Sequence, residues 1–173
     1  MRNIKISIII PVYKVEKYIS SCLKSLFHQT YTNYEAIIVD DCGNDNSIEI
    51  ASGVIANYGQ SNKVKIIHHE SNLGLSAARN TGVKNSTGQY LFFLDSDDEL
   101  TENALSTLVD SLDRYGDIDY IVGGIDVVGS FNTKKLHPGL INGNDSILHN
   151  YISGGCYVMA CGKLISRHFF IKN

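Results

Sequence analysis

The segment IKISIIIPV, residues 4–12, is a nearly continuous run of β-branched side chains. A run of this kind is typical of a strand buried on both faces of a parallel sheet. Pro11 has no backbone N–H to donate, so we expect the pairing of this strand to end there. We therefore expect the following sequence to form helices that pack against both faces of this strand.

Strand-like and helix-like segments alternate from this strand to about residue 115. Apolar residues recur at helical spacing from Ile19 onwards, which indicates a helix with one buried stripe. The alternation predicts strands at Tyr34–Val39, Val64–His68 and Tyr90–Leu94. It predicts helices from Ile19, from Ser47 to about Tyr58, over Ser76–Asn85 and around 105–112. Gly88 is expected to help stop the helix over Ser76–Asn85. Such alternation predicts an α/β fold, an open and mostly parallel sheet with helices on both faces.

The pattern changes after Gly116. Two strand-like segments, Ile118–Val122 and Ile125–Val128, are separated only by two glycines, which leaves no room for a helix between them. A short helix at Asp145–Ile152 and an extended stretch at Cys156–Ile165 complete the prediction. We treat residues 1–173 as a single domain, because a chain of this size buries enough surface for one hydrophobic core.

The amino-acid composition argues against several classes of function. The 173 residues are 43% hydrophobic with a net charge of −3, so no overall positive field favours a nucleic-acid partner. The four cysteines, at 22, 42, 156 and 161, lack the spacing of a zinc knuckle or redox motif, which fits a reducing cytoplasm. The sequence has no run of 18 consecutive apolar residues, so it predicts no membrane-spanning helix. This does not exclude peripheral contact at the inner face of a membrane.

Polar residues follow the predicted strands at their carboxyl ends. The first strand leads to Tyr13, the second to Asp40 and Asp41, and the fourth to the acidic stretch 95–98. Ligands of open parallel sheets bind outside the carboxyl ends of the strands, where helix N-termini and loops converge. These clusters should therefore share one rim of the sheet.

The acidic stretch DSDD, residues 95–98, is the most informative cluster. Side chains two apart on an extended segment point the same way, so Asp95 and Asp97 converge if strand geometry continues through them, with Asp98 nearby. Carboxylates held this close repel each other unless a cation lies between them. Oxygen ligands suit Mg²⁺ or Mn²⁺, which would in turn bind the diphosphate of a substrate. The alternative is that Asp97 or Asp98 only caps the following helix.

The other polar residues each have two interpretations. Asp40 and Asp41 either accept hydrogen bonds from a nucleobase or ribose, or bond to neighbouring backbone N–H groups in a loop. Arg79 pairs either with phosphate or with one of the carboxylates. His68 and His69 lack the helical spacing of a zinc protease, so structural or solvent roles are favoured.

Four ordered motifs resemble those of family 2 glycosyltransferases with the GT-A fold. They are IIIPVY at 8–13, residues 39–47, NLGLSAARNTG at 72–82, and residues 88–98, with a weaker echo at 161–170. The resemblance covers about the first 115 residues, which would form the nucleotide-binding half. Residues 116–173 would then be an incomplete acceptor-side half. Lys14 and Gly43 depart from the residues that the family usually has.

The resemblance implies roles for particular residues. Asp40 would contact the base, typically uracil, and Asp95 and Asp97 would hold the metal of the donor diphosphate, with Asp98 beside them. We predict donor contacts at Pro11, Tyr13, Asp40, Asp41, Arg79 and Ser96. The family's catalytic base usually lies shortly after the segment that 161–170 resembles, so we expect it beyond Asn173. Asp126 and Asp145 match no family motif and are not assigned as the base.

The resemblance therefore implies an inverting transferase that moves sugar from a nucleotide-diphospho-sugar, typically a UDP-sugar, to a glycan or a lipid-linked saccharide. This chain is expected to bind the donor with metal but to transfer sugar poorly. A noncatalytic nucleotide-sugar-binding fragment is the main alternative. A nucleotidyltransferase shares the metal chemistry, but its usual glycine-rich, basic loop after the first strand is missing.

Overall fold

The computed structural model describes residues 3–124 and 160–172. Strands and helices alternate through the first part, and two short elements follow in the second. In chain order the elements are β1 (Ile6–Val12), α1 (Ile19–Phe27), β2 (Tyr34–Asp40), α2 (Ser47–Asn57), β3 (Val64–His68), α3 (Leu75–Lys84), β4 (Tyr90–Phe93), α4 (Ala104–Tyr115), β5 (Tyr120–Val122), β6 (Lys163–Ser166) and α5 (Arg167–Lys172). The predicted α/β class is confirmed.

The six strands form one sheet in the order β3-β2-β1-β4-β6-β5. The first four strands of the chain pair in parallel, whereas β6 runs antiparallel to both β4 and β5. β1 is central, and all seven of its residues are buried. The predicted strand Ile125–Val128 and helix Asp145–Ile152 lie outside the described residues.

Helices cover both faces of the sheet, as predicted. The even-numbered side chains of β1, such as Ile8 and Ile10, pack in one cluster with buried residues of α1, α2 and α4. Ile9 points to the opposite face, where it packs with Val83 of α3 and with Phe170 of α5. Burial on both faces explains why β1 has little polar alternation. Within the described residues, no helix is both long and apolar enough to cross a membrane.

The prediction that pairing ends at Pro11 is wrong. Pro11 pairs with Val39 of β2, and Val12 continues the ladder. The carbonyl of Ile9 accepts from the Leu94 N–H at 3.0 Å, so the backbone polar groups of Ile9 point towards β4. Those of Pro11, two residues further on, point the same way. The β1–β4 pairing has ended at Ile9, and the missing N–H of Pro11 therefore breaks no ladder bond.

Gly88 has a different role from the one predicted. α3 ends at Lys84, with Asn85 as its C-cap, so Gly88 lies too far along the chain to stop the helix. A Cβ atom on Gly88 would lie 2.7 Å from the backbone nitrogen of Ser7 and 2.8 Å from the carbonyl of Lys5. The lack of a side chain lets the turn before β4 approach β1 closely.

Glu35 links β2 to β1 and to the turn before β4, at the end of the sheet opposite to the strands' carboxyl ends. Its carboxylate accepts hydrogen bonds from the Ser7 hydroxyl at 2.6 Å, the Thr87 N–H at 2.7 Å and the Lys5 ammonium at 2.9 Å. Burial raises the pKa of Glu35, but the hydrogen bonds from Ser7, Lys5 and Thr87 outweigh it and lower the pKa to about 2. The ionised form therefore stabilises the fold.

Glu35→Gln is expected to lower the free energy of unfolding at pH 7 by about 1–2 kcal/mol, because the charge-assisted bonds are lost and the Lys5 arm is partly screened by solvent. A pKa lowered by folding gives stability that is present above the unfolded value near 4.3 and is lost as the pH falls towards 2. Urea unfolding between pH 2 and pH 7 measures this. The difference between the two proteins should shrink over that window; a pH-independent difference would contradict the assignment.

Candidate active site

The parallel strands bring the predicted polar clusters to one rim. Val12, the last residue of β1, pairs with Asp40, the last of β2, and Asp40 pairs in turn with His68 at the end of β3. β4 runs parallel to β1 and leads into the acidic stretch 95–98. Tyr13 is 44% exposed at this rim, with the Lys14 ammonium 5.1 Å from the centre of its ring. Pro11 is buried within β1.

Asp40 stands at the mouth of this rim. One carboxylate oxygen accepts from the Cys42 N–H at 3.1 Å, and the other lies 2.9 Å from Nδ1 of His68. The His68 side chain is 61% exposed and that of Asp40 is 20% exposed. A carboxylate at this place keeps lone pairs accessible to a ligand N–H or hydroxyl. The geometry is compatible with the predicted base contact.

The loops after β1 and β2 pack closely beside Asp40. Lys14, Cys42 and Asn44 all have positive φ, at 55°, 59° and 52°. A Cβ on Gly43 would lie 2.8 Å from the Lys14 backbone nitrogen, so this position accepts only glycine without a shift of the loops. Lys14 and Gly43, the two departures from the family pattern, therefore meet at one close backbone contact.

Asp41 is buried beside the rim, and the fold engages its carboxylate as the loop interpretation predicts; its donor contact stays a prediction. The residue is 3% exposed, and its carboxylate accepts from the Leu73 N–H at 2.9 Å, the Gly74 N–H at 2.8 Å and the His69 ring at 2.7 Å. Burial raises the pKa of Asp41, but the bonds from Leu73, His69 and Gly74 outweigh it and the pKa is lowered overall. The loop interpretation describes this residue.

His69 is part of the same buried network. Its other ring nitrogen lies 2.9 Å from the Thr81 hydroxyl on α3, and its side chain is only 8% exposed. The network thus ties the ends of β2 and β3 to the start of α3. The structural role favoured for His69 is confirmed, but its partners were not predicted, because they lie 12 and 28 residues away along the chain.

The acidic stretch turns sharply instead of continuing as a strand. β4 ends at Phe93, and the Asp98 N–H donates to the Asp95 carbonyl at 3.0 Å, which closes a turn through Ser96 and Asp97. Carboxylate oxygens of Asp95 and Asp98 lie within 4.8 Å of each other. Asp97 is exposed and Ser96 is buried. The alternation expected to bring Asp95 and Asp97 together therefore does not hold, since it requires an extended backbone.

The capping interpretation of the acidic stretch is wrong. α4 begins only at Ala104, and Asn103 is its N-cap residue. Asp97 and Asp98 are therefore more than one helical turn away from the free N–H groups of the helix. Burial raises the pKa of Asp98, and the neighbouring Asp97 and Asp95 carboxylates raise it further. A cation bound among these carboxylates would relieve the repulsion.

Arg79 of α3 pairs with a carboxylate, which is one of its two predicted interpretations. Nη2 of Arg79 lies 2.6 Å from Oδ1 of Asp95, and the guanidinium carbon lies 5.9 Å from the centre of the Phe93 ring. Nε of Arg79 is buried without a hydrogen-bond partner in the part of the chain that the structure describes. A buried donor of this kind indicates that the arginine has bonding capacity left for an anion.

The residues present fit a divalent cation. The carboxylates of Asp95 and Asp98 converge. Burial, with the Asp97 and Asp95 carboxylates, raises the pKa of Asp98, and a cation at this place would relieve the repulsion. The sulfur of Cys161 also lies within 4.8 Å of both carboxylates. The sequence predicts no chemistry for Cys161, because 63 residues separate it from Asp98 and no local motif connects them.

Solved structures of other proteins share the fold described above. TarS of Staphylococcus aureus, solved in complex with UDP, superposes with a TM-score of 0.79 at 24% identity, covering 98% of this chain and 48% of TarS. The mannosyltransferase PcManGT of Pyrobaculum calidifontis, solved with GDP-Man and Mn²⁺, gives a TM-score of 0.64 at 18% identity, covering 69% and 35%. The fold is that of GT-A glycosyltransferases.

Sequence comparison gives the family. The model of glycosyl transferase family 2 matches residues 7–172, and the chain belongs to this family. The glycosyltransferase GlyG of Streptococcus pneumoniae is 36% identical over 118 residues, which are 68% of this chain and 38% of GlyG. The chain thus spans about two fifths of GlyG and about half of the TarS chain.

Proposed function

We propose that this domain binds a nucleotide-diphospho-sugar, a UDP-sugar in the first instance, through a divalent cation, Mg²⁺ or Mn²⁺. The observation that carries the proposal is the convergence of the Asp95 and Asp98 carboxylates at the rim where Asp40 also lies. Solved relatives with this fold bind UDP, UDP-GlcNAc and GDP-Man. The reaction would be transfer of the sugar, with inversion, to a glycan or lipid-linked acceptor.

Asp95 and Asp98 would hold the cation, with the exposed Asp97 beside them. When bound, the cation neutralises the negative charge that develops on the departing nucleoside diphosphate. Asp40 would accept a hydrogen bond from the base, and the exposed ring of Tyr13 would pack against it, next to Pro11. The unpartnered Nε of Arg79 would add a donor for phosphate while Nη2 keeps Asp95 in place. Ser96, which is buried in this turn, stays a predicted donor contact.

The proposals for the acceptor and for the cellular location rest on the family resemblance alone. We propose a glycan or a lipid-linked saccharide as acceptor, a cytoplasmic location, and peripheral contact with the inner face of the membrane if the acceptor is lipid-linked. No residue is assigned as the base that deprotonates the acceptor hydroxyl. Asp126 and Asp145 lie outside the described residues.

Thermal melting with UDP, GDP and CDP, each with and without Mn²⁺, tests the donor class. A ligand at 100 times its dissociation constant stabilises the protein by about 2.7 kcal/mol, a rise of roughly 5–10 °C in Tm for a chain of this size. We expect the full rise only for UDP together with Mn²⁺. An equal response to all three nucleotides, or a response to UDP that Mn²⁺ does not increase, would contradict the proposal; UDP-sugar turnover measured in parallel separates a transferase from a binding domain.

A further inference from the structure

Cys161 occupies an unusual place for a buried cysteine. It is 8% exposed and lies beside the end of β4, through a bridge to Phe93. Cys22 is also buried, but it belongs to the main hydrophobic cluster. Cys161 belongs to none of the three hydrophobic clusters of the described residues. Its sulfur instead faces the carboxylates of Asp95 and Asp98.

The Cys22 sulfur, by comparison, lies 3.7 Å from the Asp95 carbonyl. A buried cysteine that lies outside the hydrophobic clusters, with its sulfur turned towards two carboxylates, is poorly explained by core packing. The backbone holds it there, because Gly162 turns the chain with φ 70° immediately before β6. β6 then pairs with β4 and fixes the position.

We propose that Cys161 is a third ligand of the cation site, which gives the site a mixed set of two carboxylate oxygens and one thiolate. Mg²⁺ takes oxygen ligands, whereas Zn²⁺, Co²⁺ and Cd²⁺ also accept thiolate. The site therefore binds these thiophilic cations more tightly than Mg²⁺. This inference rests on the proposed function only in that the same two carboxylates serve the donor's cation.

The geometry needs only a small adjustment. A tetrahedral Zn²⁺ with ordinary bond lengths places its ligand atoms roughly 3.4–3.6 Å apart. The three ligand atoms already lie within 4.8 Å of one another. Rotations about the side-chain bonds of the three residues, of which Asp98 is exposed, would close the remaining gaps. Binding forms a metal–sulfur bond and releases the thiol proton to solvent, and the fourth position stays open for water or a phosphate oxygen.

Occupation by Zn²⁺ has a consequence for regulation of the donor site. A thiolate in place of an oxygen ligand lowers the charge and the Lewis acidity left for phosphate, and a tetrahedral ion offers one open position where an octahedral ion offers several. Zn²⁺ should thus compete with Mg²⁺ or Mn²⁺ and weaken binding of the nucleoside diphosphate. The site would act as a point of inhibition by thiophilic cations.

Anaerobic titration of the 173-residue chain with Co²⁺ tests the thiolate directly. We expect a sulfur-to-cobalt charge-transfer band in the near ultraviolet for the natural chain and for Cys22→Ser, the matched control, and no band for Cys161→Ser. Zn²⁺ affinity should fall at least roughly tenfold in Cys161→Ser while Mg²⁺ affinity changes less than about twofold. A band that is missing in the natural chain, or that persists in Cys161→Ser, would overturn the proposal.

Cadmium-113 NMR of the natural chain gives a measurement that does not depend on a variant folding. One thiolate ligand moves the resonance far from the position of an all-oxygen site, and an all-oxygen shift would overturn the thiolate ligand. If Mn²⁺ still promotes UDP binding in that case, only the thiolate assignment fails. If neither Co²⁺ nor Mn²⁺ binds at this rim, the proposed donor site fails with it.

Discussion

Replacing Asp41 by alanine is expected to lower the free energy of unfolding by about 3–4 kcal/mol, although Asp41 lies next to a candidate ligand-binding residue. The substitution leaves the Leu73 and Gly74 N–H groups and the His69 ring without their acceptor. A buried polar group without a partner costs about 1–3 kcal/mol, and the low end applies to the Leu73 and Gly74 N–H groups, whose bonds are only partly buried. The start of α3 and the loop before it should loosen together.

Urea unfolding measures the loss, and two other variants separate the causes. Asp41→Asn keeps one acceptor oxygen and should lose about half as much. Asp40→Ala, one residue earlier, removes a carboxylate that is 20% exposed and should cost less than about 1 kcal/mol. Equal losses for Asp40→Ala and Asp41→Ala would contradict the assignment of Asp41 to the fold and Asp40 to the ligand.

The Asp41 effect also has a pH dependence of known sign. Folding lowers the pKa of this carboxyl, so its contribution to stability is present above its ordinary pKa of about 3.9 and is lost as the pH falls below it. The difference in stability between the natural chain and Asp41→Asn should thus be largest near neutral pH and shrink in acid.

Replacing Asp95 by asparagine is expected to weaken UDP binding in the presence of Mn²⁺ at least 100-fold, about 2.7 kcal/mol. The substitution removes one of the two converging carboxylates and also the partner of Arg79 at 2.6 Å. In the absence of metal the loss should be much smaller, because the cation carries most of the diphosphate interaction. Titration calorimetry with UDP, with Mn²⁺ and with a chelator, measures both.

Matched acidic variants test which carboxylates serve the cation. Asp98→Asn should lose more of the Mn²⁺-dependent affinity than Asp97→Asn, because the Asp98 oxygens converge with those of Asp95. Asp110→Asn, on the exposed side of α4, removes the same charge and should change the affinity less than twofold. An equal loss at Asp110 would attribute the effect to overall charge.

Much of the fold could be predicted from the sequence, because it follows from local periodicity. The four strand–helix units and their parallel order follow from apolar spacing and the rule for right-handed crossovers. The insertion of β6 between β4 and β5 could not be predicted. It depends on pairing of Leu164 with Phe92 and Ile121, partners more than 40 residues away along the chain.

The site was predictable as a location but not in its details. Parallel strands brought Asp40 and the acidic stretch to one rim, as the topology requires. Which carboxylates converge depends on a turn closed by one backbone hydrogen bond from Asp98 to Asp95, and the polar sequence is equally compatible with an extended backbone. The burial of Asp41 and the approach of Cys161 depend on distant segments.

Calorimetric titration of the natural chain with UDP and with uridine, each with Mn²⁺ and with a chelator, tests whether a cation at Asp95 and Asp98 binds the diphosphate. We expect Mn²⁺ to strengthen UDP binding at least tenfold and to leave uridine binding unchanged, because only UDP presents a diphosphate to the cation. If UDP binds equally well with and without Mn²⁺, or if uridine responds to the metal as UDP does, the claim is contradicted.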